Sequence, residues 1–129
     1  MIRYLTAEQV LFLHSRVIAE TGGKHGVRDL GALLFALGRP RAAFEGKDLQ
    51  PDLFAKAAGL LESLLKGRSF VDGSERSAIA AAAVFLRLNG QRLEAKNPDL
   101  ATFTRACARA ELSFEEIAGW LREHCEPVN

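Results

Sequence analysis

The sequence predicts an all-α fold, a bundle of about six helices around a buried central helix, in a single domain over residues 1–129. Apolar residues recur at helical spacing along most of the chain, and helix-start and helix-stop residues bracket these segments. The run AIAAAAVFL at residues 78–86 is apolar on every side of a helix, which predicts the central position for it. A chain of 129 residues is long enough for one sizeable core.

The first two helices have clear boundaries. Thr6 and Gln9 form a capping-box pattern, and the helix that they start continues until two glycines at 22–23 stop it. Asp29 caps a second, shorter helix that ends at Gly38 and Pro40. The segment 39–50 contains Pro, Gly and mixed charge without a helical period, so we expect a loop or a short hairpin there.

Four more helices follow. Pro51 fits the first position of the third, and the fourth, apolar helix runs from Ser74 to Asn89, where an Asn-Gly pair stops it. A fifth helix opens at the Asn-Pro pair 97–98. Ser113 with Glu116 caps a sixth, which ends near residue 124.

Composition narrows the class of function. Lys and Arg total 17 against 16 Asp and Glu, so the chain has no basic field for direct binding of nucleic acid or anionic lipid. No apolar run is long enough to span a membrane, and the first residues lack the apolar core of a signal peptide. Cys107 and Cys125 match no metal or disulfide spacing and are expected to be reduced packing residues. We expect a small cytoplasmic protein.

The chemistry concentrates in residues 68–76, RSFVDGSER, directly before the apolar helix. A helix N-terminus beside a Gly-containing turn presents free backbone N–H groups and the positive end of the helix dipole, which suits a phosphate. Taken alone, the nine residues also fit a simpler interpretation, in which Asp72 or Ser74 caps the helix and Arg76 forms a surface ion pair.

The stretch resembles the active-site motif of the Fic (Fido) fold, and in detail that of the Doc, or "death on curing", toxins: His-Pro-Phe-x-Asp-Gly-Asn-Lys-Arg followed by an alanine-rich helix. The upstream blocks HSRVIAETGGKHGVRDLGALLFALGRP and FEGKDLQPDLFAKAAGLLESLL and the downstream LRLNGQRLEA are similar to the same family, so the resemblance covers roughly residues 10–96.

The resemblance implies a kinase-like phosphotransferase of a toxin–antitoxin pair, with ATP and Mg²⁺ as cofactors. Doc toxins transfer the terminal phosphate of ATP to a threonine of elongation factor Tu, and the Phd antitoxin neutralises them by folding a helical segment onto them. In the family motif the His is the general base, the Asp holds magnesium, and the Asp-Gly-Asn turn with Asn, Lys and Arg cradles phosphate. The Phe anchors the loop in the core.

Carried over by position, the resemblance assigns the metal to Asp72, phosphate binding to Gly73 and Arg76, and the structural anchor to Phe70. The other four motif positions hold different residues: Arg68 for His, Ser69 for Pro, Ser74 for Asn and Glu75 for Lys.

These departures predict a degenerate site. A guanidinium stays protonated at neutral pH, so Arg68 cannot act as a general base, a role worth roughly a hundred- to ten-thousandfold in rate. Glu75 replaces a phosphate-facing cation with an anion, whereas the Ser74 hydroxyl can still donate to phosphate. His14 is predicted to be a packing residue, and neither His25 nor His124 has the spacing of a replacement base.

A second departure lies on the predicted second helix. Where the family usually reads Gly-Leu-Leu-Glu-Ser-Ala-Leu, Leu34 and Phe35 fill the Glu and Ser positions. They either enlarge the core or form an exposed patch for a partner, in a groove that the first two helices make with segment 39–50. Two classes of function therefore stay open: a Doc-type phosphotransferase with an impaired site, and a catalytically silent Fic-fold module that binds proteins.

Overall fold

A computed structural model describes residues 1–49 and 52–128, and it confirms the all-α architecture with about six helices. The helices are α1 (Ala7–Thr21), α2 (Leu30–Gly38), α3 (Leu53–Gly67), α4 (Ser74–Leu88), α5 (Asn97–Ala108) and α6 (Phe114–Glu123). A short 3-10 helix, Arg39–Arg41, follows α2. Two antiparallel ribbons complete the fold: β1 (Ala43–Phe44) with β2 (Lys47–Asp48), and β3 (Gln91–Leu93) with β4 (Cys125–Pro127).

The predicted caps are largely confirmed. Both capping boxes form, at Thr6 with Gln9 and at Ser113 with Glu116, and the Asp29 carboxylate accepts the Ala32 N–H at 2.9 Å. The third helix begins at Leu53 with Asp52 as its N-cap, and Pro51, predicted at its first position, lies outside the described residues.

The centre of the bundle belongs to α3 rather than α4. Nine of the 15 residues of α3 are buried, and α2, α4, α5 and α6 all pack against it. On α4, Ala78, Ala81 and Ala82 are buried, but the opposite side around Ala80 and Ala83 is only half-buried. Because no residue from 77 to 86 is exposed, the prediction of a buried α4 holds, but the central place that the sequence assigned to α4 belongs to α3. Alanine methyl groups are small, so leaving one side of the helix partly exposed costs little.

Segment 39–50 forms the short hairpin that was one of its two predicted forms, as far as residue 49; Gln50 lies outside the described residues. The hairpin turns at Glu45 and Gly46, both with positive φ. It is fastened to α3 by Lys56, which is 1% exposed and whose Nζ donates to Pro40 O at 2.7 Å and to Asp48 Oδ2 at 3.2 Å.

The second ribbon was not predicted. Its strands have three residues each and are separated by α5 and α6, so neither carries a local pattern that would show the pairing. No helix among residues 1–49 and 52–128 is long and apolar enough to cross a membrane.

Candidate functional site

The motif loop, residues 68–73, joins the buried centre of the fold to the start of α4. Arg68 ends α3 in the left-handed conformation, with φ 44° and ψ 55°, and its side chain is exposed. The two residues after it, Ser69 and Phe70, are buried. The loop is therefore in the core at Ser69 and Phe70, the second of which is the anchor that the resemblance implies, and it is back at the surface from Val71.

His14 of α1 packs against the buried side of the motif loop. Its ring stacks on Phe70 with a centroid separation of 3.9 Å, and its Nε2–H donates to Asp72 O at 2.8 Å. The ring is 4% exposed. Its interpretation as a packed, hydrogen-bonded residue agrees with this geometry, because both its ring face and its Nε2 are engaged with the loop.

Gly73 turns the chain into α4 and leaves the helix start open. Its φ is 74°, a left-handed conformation that favours glycine, and a Cβ added there would lie 3.0 Å from Ile18 Cδ1, so that side chain would have to shift. No side chain caps α4, and the first helical bond runs from Ser77 N to Gly73 O at 2.9 Å. The N–H groups of residues 74–76 thus have no intrahelical acceptor.

The alternative interpretation, a side-chain cap by Asp72 or Ser74, is therefore wrong. The Ser74 hydroxyl donates back to Phe70 O at 3.4 Å, and the Asp72 carboxylate accepts the Lys24 N–H at 2.8 Å. With neither side chain bonded to the helix start, the geometry leaves the N-terminus of α4 able to bind an anion.

The segment 23–29, between α1 and α2, lies along the motif loop as an irregular ribbon; we call it the clamp segment. Backbone bonds join Val71 N to Gly26 O at 3.1 Å and the N–H groups of Arg28 and Asp29 to Ser69 O at 2.7 and 3.1 Å. Val27 and Phe70 form an isolated β-bridge. The shape of the motif loop is thus set largely by a different part of the chain.

A cleft of about 1210 Å³ opens above the motif loop. One wall is the motif loop with the start of α4, and the other is α5, which contributes residues such as Asn97, Thr104 and Arg105. All seven motif residues that sequence reasoning proposed line it: Arg68, Phe70, Asp72, Gly73, Ser74, Glu75 and Arg76. Leu34 and Phe35 are not among the lining residues.

Two further arginines, Arg28 and Arg105, line the same cleft and were missed from the sequence. The four arginines of the lining face two carboxylates, Asp72 and Glu75, which leaves a formal net charge of +2. Arg28 directly precedes the cap of α2, a position that could have drawn attention, whereas nothing local marks Arg105. The lining of the cleft therefore carries an excess of positive charge, part of it from outside the motif.

The residues that line the cleft fit a phosphate group. They fit a magnesium ion only when a phosphate group is bound as well. Open helix N–H groups and arginines are phosphate ligands. Within the described part of the chain, no group of three or more His, Cys, Asp or Glu residues could hold a metal by itself. Magnesium is commonly held by one or two carboxylates plus substrate phosphates, so Asp72 alone suffices if a nucleotide supplies the rest.

Among residues 1–49 and 52–128, no histidine lines the cleft. The His25 ring lies 6.5 Å from the His14 ring in the exposed clamp segment, and His124 stacks on Trp120 at 3.8 Å. Among the described residues, the side chain at the position of the family's general base is that of Arg68. The geometry can bind an anion, and it offers no imidazole for proton abstraction.

Comparison with known proteins decides the lineage. The model of the Fic/DOC family matches residues 4–86 of the chain. This chain belongs to the Fic/DOC family. The match confirms the resemblance on which the site residues were assigned, and it spans α1 to α4 with the clamp segment and the motif loop.

Two Fic/DOC relatives cover most of the chain. Toxin Doc of Mycolicibacterium smegmatis (strain ATCC 700084 / mc(2)155) is 45% identical over 95 residues, 74% of this chain and 71% of the relative. Protein kinase doc of Escherichia phage P1 is 32% identical over 121 residues, 94% of each chain. The second similarity extends over almost the whole bundle, including the α5 wall of the cleft.

The structure resolves the two interpretations of Leu34 and Phe35 in favour of exposure. Their side chains are 52% and 69% exposed, and Leu30, one turn before Leu34, is 55% exposed. These three residues define the α2 patch. The buried side of the same helix is made of Leu33, Ala36 and Leu37, so the substitutions do not enlarge the core.

Proposed function

We propose that this Fic/DOC protein is the toxin of a Phd/Doc-type toxin–antitoxin pair whose site binds Mg²⁺ and ATP only weakly and transfers phosphate slowly or not at all. The single observation that carries the proposal is the composition of the cleft. An uncapped helix N-terminus and four arginines line it, while an arginine stands where the family has its base. By resemblance, the acceptor would be a threonine of elongation factor Tu, and the compartment would be the cytoplasm.

The motif residues of the cleft have different roles in this proposal. The open N–H groups of α4 and the Arg76 guanidinium would hold phosphate oxygens, and Asp72 would hold a magnesium ion. Bound magnesium would neutralise charge that develops on the transferred phosphate. Arg68 cannot accept the proton of an attacking hydroxyl. The negative charge of Glu75, in the first turn of α4, is stabilised by the positive end of the helix dipole. Glu75 would therefore compete with a phosphate group for the N-terminus of α4.

The two defects act on different steps, which gives a direct test. Arg68→His alone is expected to recover little transfer, because nucleotide binding stays weak. Glu75→Lys alone is expected to strengthen ATP binding without turnover. The triple variant with Ser74→Asn is expected to transfer labelled γ-phosphate to elongation factor Tu at least roughly a hundredfold faster than the unmodified chain, the lower end of what a general base supplies.

The measurements are radiolabel transfer and calorimetric titration with Mg²⁺ and ATP, run on the four proteins side by side. The matched control is the triple variant with Asp72→Asn added, which should bind and transfer poorly. Strong transfer by the unmodified chain would refute the impaired-site proposal. An inactive triple variant that binds ATP would show that the departure from the family extends beyond the motif.

The exposed α2 patch favours a second candidate, a catalytically silent module that works by binding a protein. The proposed partner is an apolar helical segment of a Phd-like antitoxin, docked in a groove between α1, α2 and the β1–β2 hairpin. Phe35→Ser restores the family's residue type at an exposed position, so it should leave the fold intact.

We expect Phe35→Ser to weaken partner recovery in a pull-down by roughly tenfold, as the loss of a buried aromatic contact does in other interfaces. Ala101→Ser is the matched control, since Ala101 is also exposed but lies on α5. Equal recovery by Phe35→Ser and the unmodified chain would count against the groove.

A further inference from the structure

The side chain of Arg28 makes contacts with the motif loop that its place outside the motif does not suggest. Its Nε donates to Arg68 O and its Nη2 donates to Gly67 O, both at 2.8 Å. Gly67 is the last residue of α3, and Arg68 is the residue that takes the left-handed conformation. One guanidinium therefore bridges the helix end and the first residue of the motif loop.

The conformation at Arg68 needs such support. A non-glycine residue with φ 44° is unfavourable, because its Cβ crowds the following carbonyl group, and that strain persists only where neighbouring contacts hold it. The carbonyl groups at a helix C-terminus also lack intrahelical donors. The planar fork of Arg28 satisfies two of them at once, which the single ammonium of a lysine would not reproduce.

Arg28 contacts the motif loop at one end of the clamp segment, and Lys24 contacts Asp72 of the loop at the other end. Between them, the clamp holds Ser69 O and Val71 N by backbone bonds, and Lys24 N donates to Asp72 Oδ2 at 2.8 Å. A shift of the loop at residue 68 would therefore be transmitted along the ribbon to the carboxylate.

We propose that Arg28 is a positioning residue of the phosphate cleft: through Gly67 O and Arg68 O it fixes the left-handed turn at residue 68 and thereby the aim of the side chains at 68 and 72. It acts through the backbone of the loop. The part of this proposal that concerns phosphate rests on the proposed function, whereas the part that concerns the loop's conformation does not.

The first experiment needs no ligand. In Arg28→Ala, amide hydrogen exchange of Val71 and Lys24 is expected to accelerate roughly tenfold. That factor corresponds to the stabilisation lost with about one hydrogen bond from a charged donor. Amides in the centre of α3 should be unchanged. The control is Arg39→Ala, because Arg39 also binds α3, through Ser63 Oγ at 2.8 Å and Glu62 at 3.6 Å, but does not line the cleft.

Chemical rescue separates positioning from general stabilisation. Guanidinium ion at a sub-denaturing concentration should slow the Val71 and Lys24 exchange of Arg28→Ala towards the unmodified rates, whereas an equal concentration of methylammonium should not. Arg28→Lys should behave like Arg28→Ala, since the fork is lost. Exchange that is unchanged at both amides, or accelerated equally throughout the chain, would overturn the proposal.

The second experiment uses Mg²⁺ with ATP as the probe in calorimetry. If the unmodified chain binds, Arg28→Ala should bind roughly five- to tenfold more weakly and Arg39→Ala equally well. Equal binding by Arg28→Ala would overturn the link to the phosphate site. If the unmodified chain does not bind at all, the proposed function fails, and the exchange data still decide whether Arg28 positions the loop.

Discussion

At the scale of single residues, the largest change in pKa is that of the Cys107 thiol, which does not line the cleft. Burial, and to a smaller extent the charge of Glu62, raises the pKa of the Cys107 thiol from 9.0 to about 12. Burial also raises the pKa of the partly exposed Cys125 thiol. Both thiols are free, and Cys107 is buried whereas Cys125 is half-buried. The protonated, uncharged thiol is therefore the form that the core accepts.

The raised pKa of Cys107 predicts that the fold loses stability at alkaline pH. Between about pH 9 and 12 the unfolded chain releases this proton and the folded chain keeps it, so the free energy of unfolding falls as pH rises through that window. We expect roughly 1–2 kcal/mol of this fall by about pH 11, relative to pH 8. Denaturant unfolding across that range measures it, and Cys107→Ala, which has no thiol, should show a correspondingly flatter dependence. Parallel curves for the two proteins would exclude this origin.

At the scale of elements, the β1–β2 hairpin depends on a buried cation. The Lys56 ammonium is inside the protein, whereas its carboxylate partner Asp48 is half exposed. Removing the carboxylate leaves the ammonium with Pro40 O and, at 5.5 Å, the face of the Tyr4 ring. Because a buried charge without its counter-ion is costly, the hairpin and α3 are energetically coupled through this pair.

We expect Asp48→Ala to lower the free energy of unfolding by about 1–2 kcal/mol, less than for a fully buried pair because Asp48 is in contact with solvent. Lys47→Ala is the matched control, since Lys47 is the exposed neighbour on the same strand, and it should cost close to nothing. Urea unfolding of the three proteins makes the comparison. Equal stabilities for Asp48→Ala and Lys47→Ala would show that the ion pair contributes nothing.

At the scale of the whole molecule, the sequence predicted what local chemistry encodes. Capping residues such as Thr6 and Ser113 act within one turn, so they could be read directly. The motif loop was assigned from a family resemblance that covers roughly residues 10–96. The central place of α3, the α5 wall of the cleft and the β3–β4 ribbon depend on contacts between distant segments, which periodicity does not record. Arg28 and Arg105 escaped notice for the same reason.

The turn after α4, at Asn89 and Gly90, binds residues near both ends of the described chain. Arg3 exchanges two hydrogen bonds with the Asn89 side chain, at 2.7 and 2.9 Å, and Val128 N donates to Gly90 O at 2.9 Å. Residues 3 and 128 are therefore neighbours in space, although most of the described chain lies between them. A short linker would span the distance between these two residues, so a circular permutant of residues 3–128 could be opened at the exposed turn Glu45–Gly46. In such a permutant the helices would keep their packing while α3 and the motif loop came early in the order of synthesis.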